Sequence, residues 1–149
     1  MGSNHSKKFF SRSTEDTERI AAEFASTLQG GEIVTLEGDL GAGKTAFVQG
    51  VAKALGVGDG ARSPTFAIMN LYKTSHPTIR QLVHLDCYRL KTAEDITNLG
   101  LDEWIGDAAS VLLIEWPRAV PGIVVEPDIE VRLECGKSEQ ERTIMIKRM

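Results

Sequence analysis

Residues 38–45 read Gly-Asp-Leu-Gly-Ala-Gly-Lys-Thr, a full G-x-x-x-x-G-K-[ST] loop. It lies between the apolar run Ile33-Val34-Thr35-Leu36 and a stretch whose apolar residues recur at helical spacing. Such a loop constrains the fold strongly, because its ends have to be held by a strand before it and a helix after it. A triphosphate must be wrapped closely by backbone N–H groups, and Gly38, Gly41 and Gly43 keep side chains out of that approach. Asp39, Leu40, Ala42 and Ala46 complete the predicted phosphate-binding set. Lys44 can reach the β- and γ-phosphates as a mobile point charge, and Thr45 can place its hydroxyl on Mg²⁺. The helix beginning near Lys44 directs its positive dipole end at the anion.

The chain has 149 residues, 42% hydrophobic and 26% charged, which suits one domain over 1–149 with a substantial core and no room for a second. No apolar run approaches the roughly 20 residues of a membrane span, and Met1 to Ser11 lacks the apolar centre of a secretory signal. A soluble, cytoplasmic protein is therefore expected. Cys87 and Cys135 form no C-x-x-C pair and are expected to be reduced, packed thiols. A formal charge of −4 and a pI of about 5.4 argue against strong independent binding to nucleic acid, so RNA contact would run through a partner.

Periodicity predicts a helix from Thr14 to Leu28, opened by Ser13-x-x-Asp16 and carrying Ile20, Phe24 and Leu28 on one face. Met1 to Lys8 is expected to be frayed or foreign to the fold. After the strand and phosphate loop, Phe47, Val48, Val51, Ala52 and Leu55 form one helical face ending at Gly56. The runs Phe66–Tyr72 and Gln81–Tyr88 flank a turn at Ser75-His76-Pro77 and predict an antiparallel hairpin. Thr92-x-x-Asp95 can cap a short helix interrupted at Gly100, with Leu99, Leu101, Trp104 and Ile105 buried. Val111 to Ile114 reads as a fully buried central strand. Ile129-x-Val131-x-Leu133 and Ile144-x-Ile146 alternate about a polar turn, a second hairpin.

Acidic residues at strand ends carry the next step. Glu115 follows Val111 to Ile114, where phosphate-loop proteins present a carboxylate to Mg²⁺, and Asp86 follows Leu82 to Leu85. Both can converge on metal and γ-phosphate if their strands flank the phosphate-loop strand; the alternative for each is a merely solvated carboxylate. Ser63-Pro64-Thr65-Phe66 has the makings of a switch loop, with Thr65 facing the γ-phosphate, or of an ordinary turn. Trp116 stacks on a ring or fills the core. His84 lies in an apolar alternating run and reads as a packed histidine more readily than a general base.

These motifs occur in an order and at separations that resemble one family. Gly38–Thr45, Ser63-Pro-Thr-Phe66, His84-Leu-Asp-Cys-Tyr-Arg-Leu90, Leu99-Gly-Leu-Asp-Glu103 and Ile114-Glu-Trp-Pro117 together look like the bacterial TsaE (YjeE) family. The resemblance covers nearly the whole chain. It implies a P-loop NTPase-like α/β domain, a mixed β-sheet flanked by helices with antiparallel hairpins. It also implies an ATPase that supports tRNA threonylcarbamoyladenosine (t6A) formation by the TsaD and TsaB proteins, with tRNA met only through that complex. ATP and Mg²⁺ are the implied cofactors. Catalytic positions would be Lys44, Thr65, Asp86 and Glu115, with Thr45 and Glu115 holding the metal. Thr14, Trp116 and Arg118 would lie close to the nucleotide.

Rival classes remain. A GTPase would be expected to carry an N-K-x-D-type segment, which the chain lacks. A small-molecule kinase would add an acceptor pocket and an arginine-bearing lid, for which the Gly56–Pro64 connection is short. A non-catalytic nucleotide-binding adaptor needs only the binding groups.

Overall fold

The computed structural model describes residues 5–38, 42–58, 69–86, 103–115 and 126–149. In chain order these form β1 (His5–Ser11), α1 (Thr14–Ala25), β2 (Ile33–Gly38), α2 (Lys44–Ala54), β3 (Met69–Lys73), β4 (Gln81–Asp86), β5 (Ser110–Glu115), β6 (Ile129–Cys135) and β7 (Arg142–Arg148). The strands make one mixed sheet in the order β1-β7-β6-β2-β5-β4-β3. At its centre β2 runs parallel to both β5 and β6, and β4 parallel to β5. The β3–β4 and β6–β7 pairs are antiparallel, as the two predicted hairpins require. This is the mixed α/β architecture that the sequence implied.

Side chains alternate along each strand, so one face of the sheet collects Val34, Leu36, Leu82, Val111, Leu113, Val131 and Leu133. These join Ile20, Phe24, Phe47, Val48 and Val51 of the two helices in a single core, with the Phe24 and Phe47 rings 5.7 Å apart. The alternate residues Val83, Leu85, Leu112 and Ile114 are buried too, which explains why β5 reads as a continuous apolar run. Below β5, Ser110 Oγ and the Ala109 N–H donate to Asp107 and hold its carboxyl below the usual carboxylate range.

Helix α1 begins as predicted: Ser13 Oγ accepts from the Asp16 N–H at 3.0 Å. It ends at Ala25, three residues before the expected Leu28, because the chain tightens. Thr27 and Leu28 donate to the carbonyls three residues back, and the Ser26 and Thr27 hydroxyls bond to the Glu23 and Phe24 carbonyls. Leu28 is buried nonetheless.

The helices approach each other at Gly50. A β-carbon there would lie 2.5 Å from the Glu18 carbonyl oxygen and 2.7 Å from Ala21 Cβ. Gly50→Ala should gain about 1 kcal/mol in helix propensity and lose more to overpacking, about 1–3 kcal/mol or above, since the obstruction is backbone. A lower midpoint in thermal or urea unfolding is the expected result. An unchanged or raised midpoint would mean that the helices separate without cost.

Four expectations are corrected. Residues 5–8, expected to be frayed or foreign, belong to β1, which pairs with β7 from His5↔Arg148 to Ser11↔Arg142. Trp104 is half-buried, its indole N–H donating to Gln81 Oε1 at 3.0 Å, and Ile105 is 42% exposed in a turn. Cys135 is an exposed free thiol and not a packed one, because it is the last residue of β6: it shares the face of Ile129, Val131 and Leu133 but lies beyond the end of the core. Residues 37 and 38 extend β2 beyond the predicted Leu36. The expected helix from Thr92, with Leu99 and Leu101, lies outside the described residues, as do Cys87 and the 59–68 segment. Among the described residues no helix is long and apolar enough to cross a membrane.

Candidate nucleotide-binding site

Strand β2 ends at Gly38 and α2 opens at Lys44, so the loop is held at both ends as its spacing demands. Gly43 is the N-cap of α2 with φ 92°, a left-handed conformation that costs glycine nothing and an L side chain much. Among the described residues no side chain caps α2, whose first N–H groups and positive dipole end point out of the helix at Gly43. Ala42 is buried and Ala46 half-buried in the first turn of α2, while the Thr45 hydroxyl lies on an exposed residue. Lys44 Nζ donates to the Gly38 carbonyl at 2.9 Å, folding the lysine back across the loop.

The parallel register sets the carboxylates. Leu36 is the register partner of Glu115, and Glu115 that of Asp86, so all three lie in one row, at the last residues of β5 and β4 and two residues before the end of β2. Glu115 is on the strand adjacent to β2, and only 6% exposed. Asp86 is half-buried and one strand further out, so its strand does not flank β2 as the sequence reading required for convergence. Two strand spacings put its backbone about 10 Å from that of β2, a distance suited to the far end of a triphosphate. The other neighbour of β2 is β6.

Two further side chains meet this region. His84, 1% exposed, brings Nε2 to 3.7 Å from Glu115 Oε1. A β-carbon on Gly43 would lie 3.8 Å from Arg142 Nε, so a guanidinium borders the loop. Arg142 Nη1 donates to the Glu139 and Glu141 carbonyls, which tie it to the β6–β7 turn. Sequence reading did not single out Arg142, because nothing local relates residue 142 to residue 43; the strand order does. Thr14, the exposed first residue of α1, is not brought to the loop by any side-chain hydrogen bond among the described residues. Asp39, Leu40, Gly41, Thr65, Trp116 and Arg118 lie outside the described residues.

The donors suit magnesium. A buried carboxylate at a strand end and a hydroxyl at the helix start offer hard oxygen donors, few enough that a magnesium ion held there would keep most of its other ligands. Among the described residues no three His, Cys, Asp or Glu side chains gather as a cage for a tightly dehydrated metal.

A central parallel strand, a glycine-rich loop, a helix starting at its lysine and a carboxylate on the adjacent strand define a P-loop NTPase-like α/β domain. The family model for the threonylcarbamoyl adenosine biosynthesis protein TsaE matches residues 11–144, and the chain belongs to the TsaE family. It is 42% identical over 123 residues to the TsaE protein of Rickettsia bellii, covering 82% of each chain. It is 35% identical over 130 residues to that of Bacillus subtilis, covering 87% of this chain and 78% of the relative. The crystal structure of Bacillus subtilis YdiB superposes with a TM-score of 0.74 at 30% identity, over 99% of this chain and 88% of that one.

Proposed function

We propose that the chain binds Mg·ATP in the Gly38–Thr45 loop and hydrolyses it in the cytoplasm in support of t6A modification of tRNA by TsaD and TsaB. The observation that carries this reading is the row formed by Leu36, Glu115 and Asp86, which sets two carboxylates along the edge from which the phosphate loop departs. Membership of a threonylcarbamoyladenosine biosynthesis family supports the biological role.

In this reading the loop amides and the dipole of α2 bind the phosphates, and Lys44 exchanges the Gly38 carbonyl for phosphate oxygen. Thr45 and Glu115 hold magnesium, which neutralises charge on the β- and γ-phosphates when bound. Asp86 orients the attacking water, and Thr65 belongs to a segment that closes on the γ-phosphate. Trp116, Arg118 and Thr14 are assigned, by resemblance to the family, to the neighbourhood of the bound nucleotide. With a formal charge of −4, the chain reaches tRNA through its partners.

Phosphate release by the chain alone should be slow and should rise when TsaD and TsaB are added at equal ATP and Mg²⁺, because a partner can order the switch segment and supply positive charge to the transition state. Full activity alone, unchanged by both proteins, would reject partner activation. Phosphate transfer that depends on an added acceptor would indicate a kinase, and ATP left intact in the full mixture an adaptor.

A further inference from the structure

Leu82, His84 and Asp86 alternate onto one face of β4. Leu82 enters the core between sheet and helices, Asp86 stands at the carboxyl edge, and His84 lies between them. Its register partner on β5 is Leu113, two residues before Glu115, so histidine and glutamate are diagonal neighbours on adjacent strands. Both are buried, and Nε2 lies 3.7 Å from Oε1. Among the described residues neither ring nitrogen of His84 has a hydrogen-bond partner.

An imidazole buried without a partner is costly, and a leucine would fill this place in Leu82-Val83-x-Leu85 without that cost. What histidine adds is a ring nitrogen within 3.7 Å of a carboxylate oxygen. Carboxylates that bind metal are themselves usually fixed by hydrogen bonds from behind.

We propose that His84 is a positioning residue for Glu115: its Nε2–H anchors Oε1 and leaves the other carboxylate oxygen to face the magnesium–nucleotide complex. The inference rests on the reading of Glu115 as the metal-binding carboxylate. The present separation of 3.7 Å exceeds a hydrogen bond of about 2.7–3.2 Å, so the anchoring bond requires a side-chain shift of about half an ångström or more.

The test is a Mg²⁺ titration at a fixed concentration of a fluorescent ATP analogue, comparing the wild-type chain with His84→Leu, His84→Asn, His84→Gln and Glu115→Ala. Leu and Asn should raise the Mg²⁺ midpoint about tenfold or more. Gln, whose amide nitrogen falls near the place of Nε2, should restore most of it, and analogue binding in EDTA should be alike in all. A folded His84→Leu protein with the wild-type midpoint overturns the proposal; so does Gln behaving no better than Asn. If His84→Leu does not fold, the Asn and Gln pair decides alone. A histidine that served packing only would lower the unfolding temperature in every variant without separating Asn from Gln in the titration. If Glu115→Ala keeps the wild-type midpoint, the metal reading itself fails and takes this one with it. A shifted Glu115→Ala with unshifted His84 variants removes only the role of His84.

Discussion

Replacing Lys44 by Ala should cut phosphate release by about 10²–10³-fold, the usual loss when one preorganised donor to a developing charge is removed. The side chain is already drawn across the loop by its bond to the Gly38 carbonyl, so it needs only a short swing to meet a phosphate. Lys44→Arg should rescue poorly, because a planar guanidinium cannot follow the path of a compact ammonium. Thr45→Ala should act on the metal: nucleotide binding in EDTA stays near wild type, and the gain on adding Mg²⁺ shrinks. Thr45→Ser keeps the hydroxyl and should keep the gain. Neither residue lies in the core, so circular dichroism should be unaltered. Normal affinity and turnover in both alanine variants would sink the assignment of the loop.

The carboxylates should fail differently. Glu115→Ala removes the buried acid next to the phosphate-loop strand and should raise the Mg²⁺ requirement by about one to two orders of magnitude. Asp86→Ala should leave nucleotide binding nearly intact and lower turnover by about 10²–10⁴-fold, as loss of a group that orients or deprotonates water does. Equilibrium binding across a Mg²⁺ series, paired with single-turnover hydrolysis, separates the two effects. The opposite pattern would exchange their roles. No change in either variant would reject the metal site.

The strand and helix on either side of the glycine-rich loop, the start of α1, both hairpins and the buried β5 were legible because each carries its own local signal: a cap, a helical stripe, an alternation or an apolar run. Strand β1 was not. His-Ser-Lys-Lys-Phe-Phe-Ser has no clean alternation, its Phe10 is 70% exposed, and only the pairing with β7, more than a hundred residues on, makes it a strand. The candidate site divides the same way. Gly38, Lys44, Thr45, Glu115 and Asp86 stood out by type and place, but sequence could not say that β5 alone would lie between β2 and β4. The approach of His84 to Glu115 depends on that order and on a particular register, and Arg142 reaches the loop only because β6 lies beside β2. Trp104 and Ile105 were misjudged because a helical spacing was assumed where the described chain turns.

The row Leu36–Glu115–Asp86 has an evolutionary side. Because side chains alternate across the sheet, adding or deleting one residue within β4 or β5 would send a carboxylate through to the opposite face, and an addition would bring an apolar neighbour, Leu85 or Ile114, into its place at the carboxyl edge. Along these two segments, substitutions can be sampled one position at a time while changes of length cannot. Descendants of this sequence are free to vary what the strands are made of, but not how many residues they count.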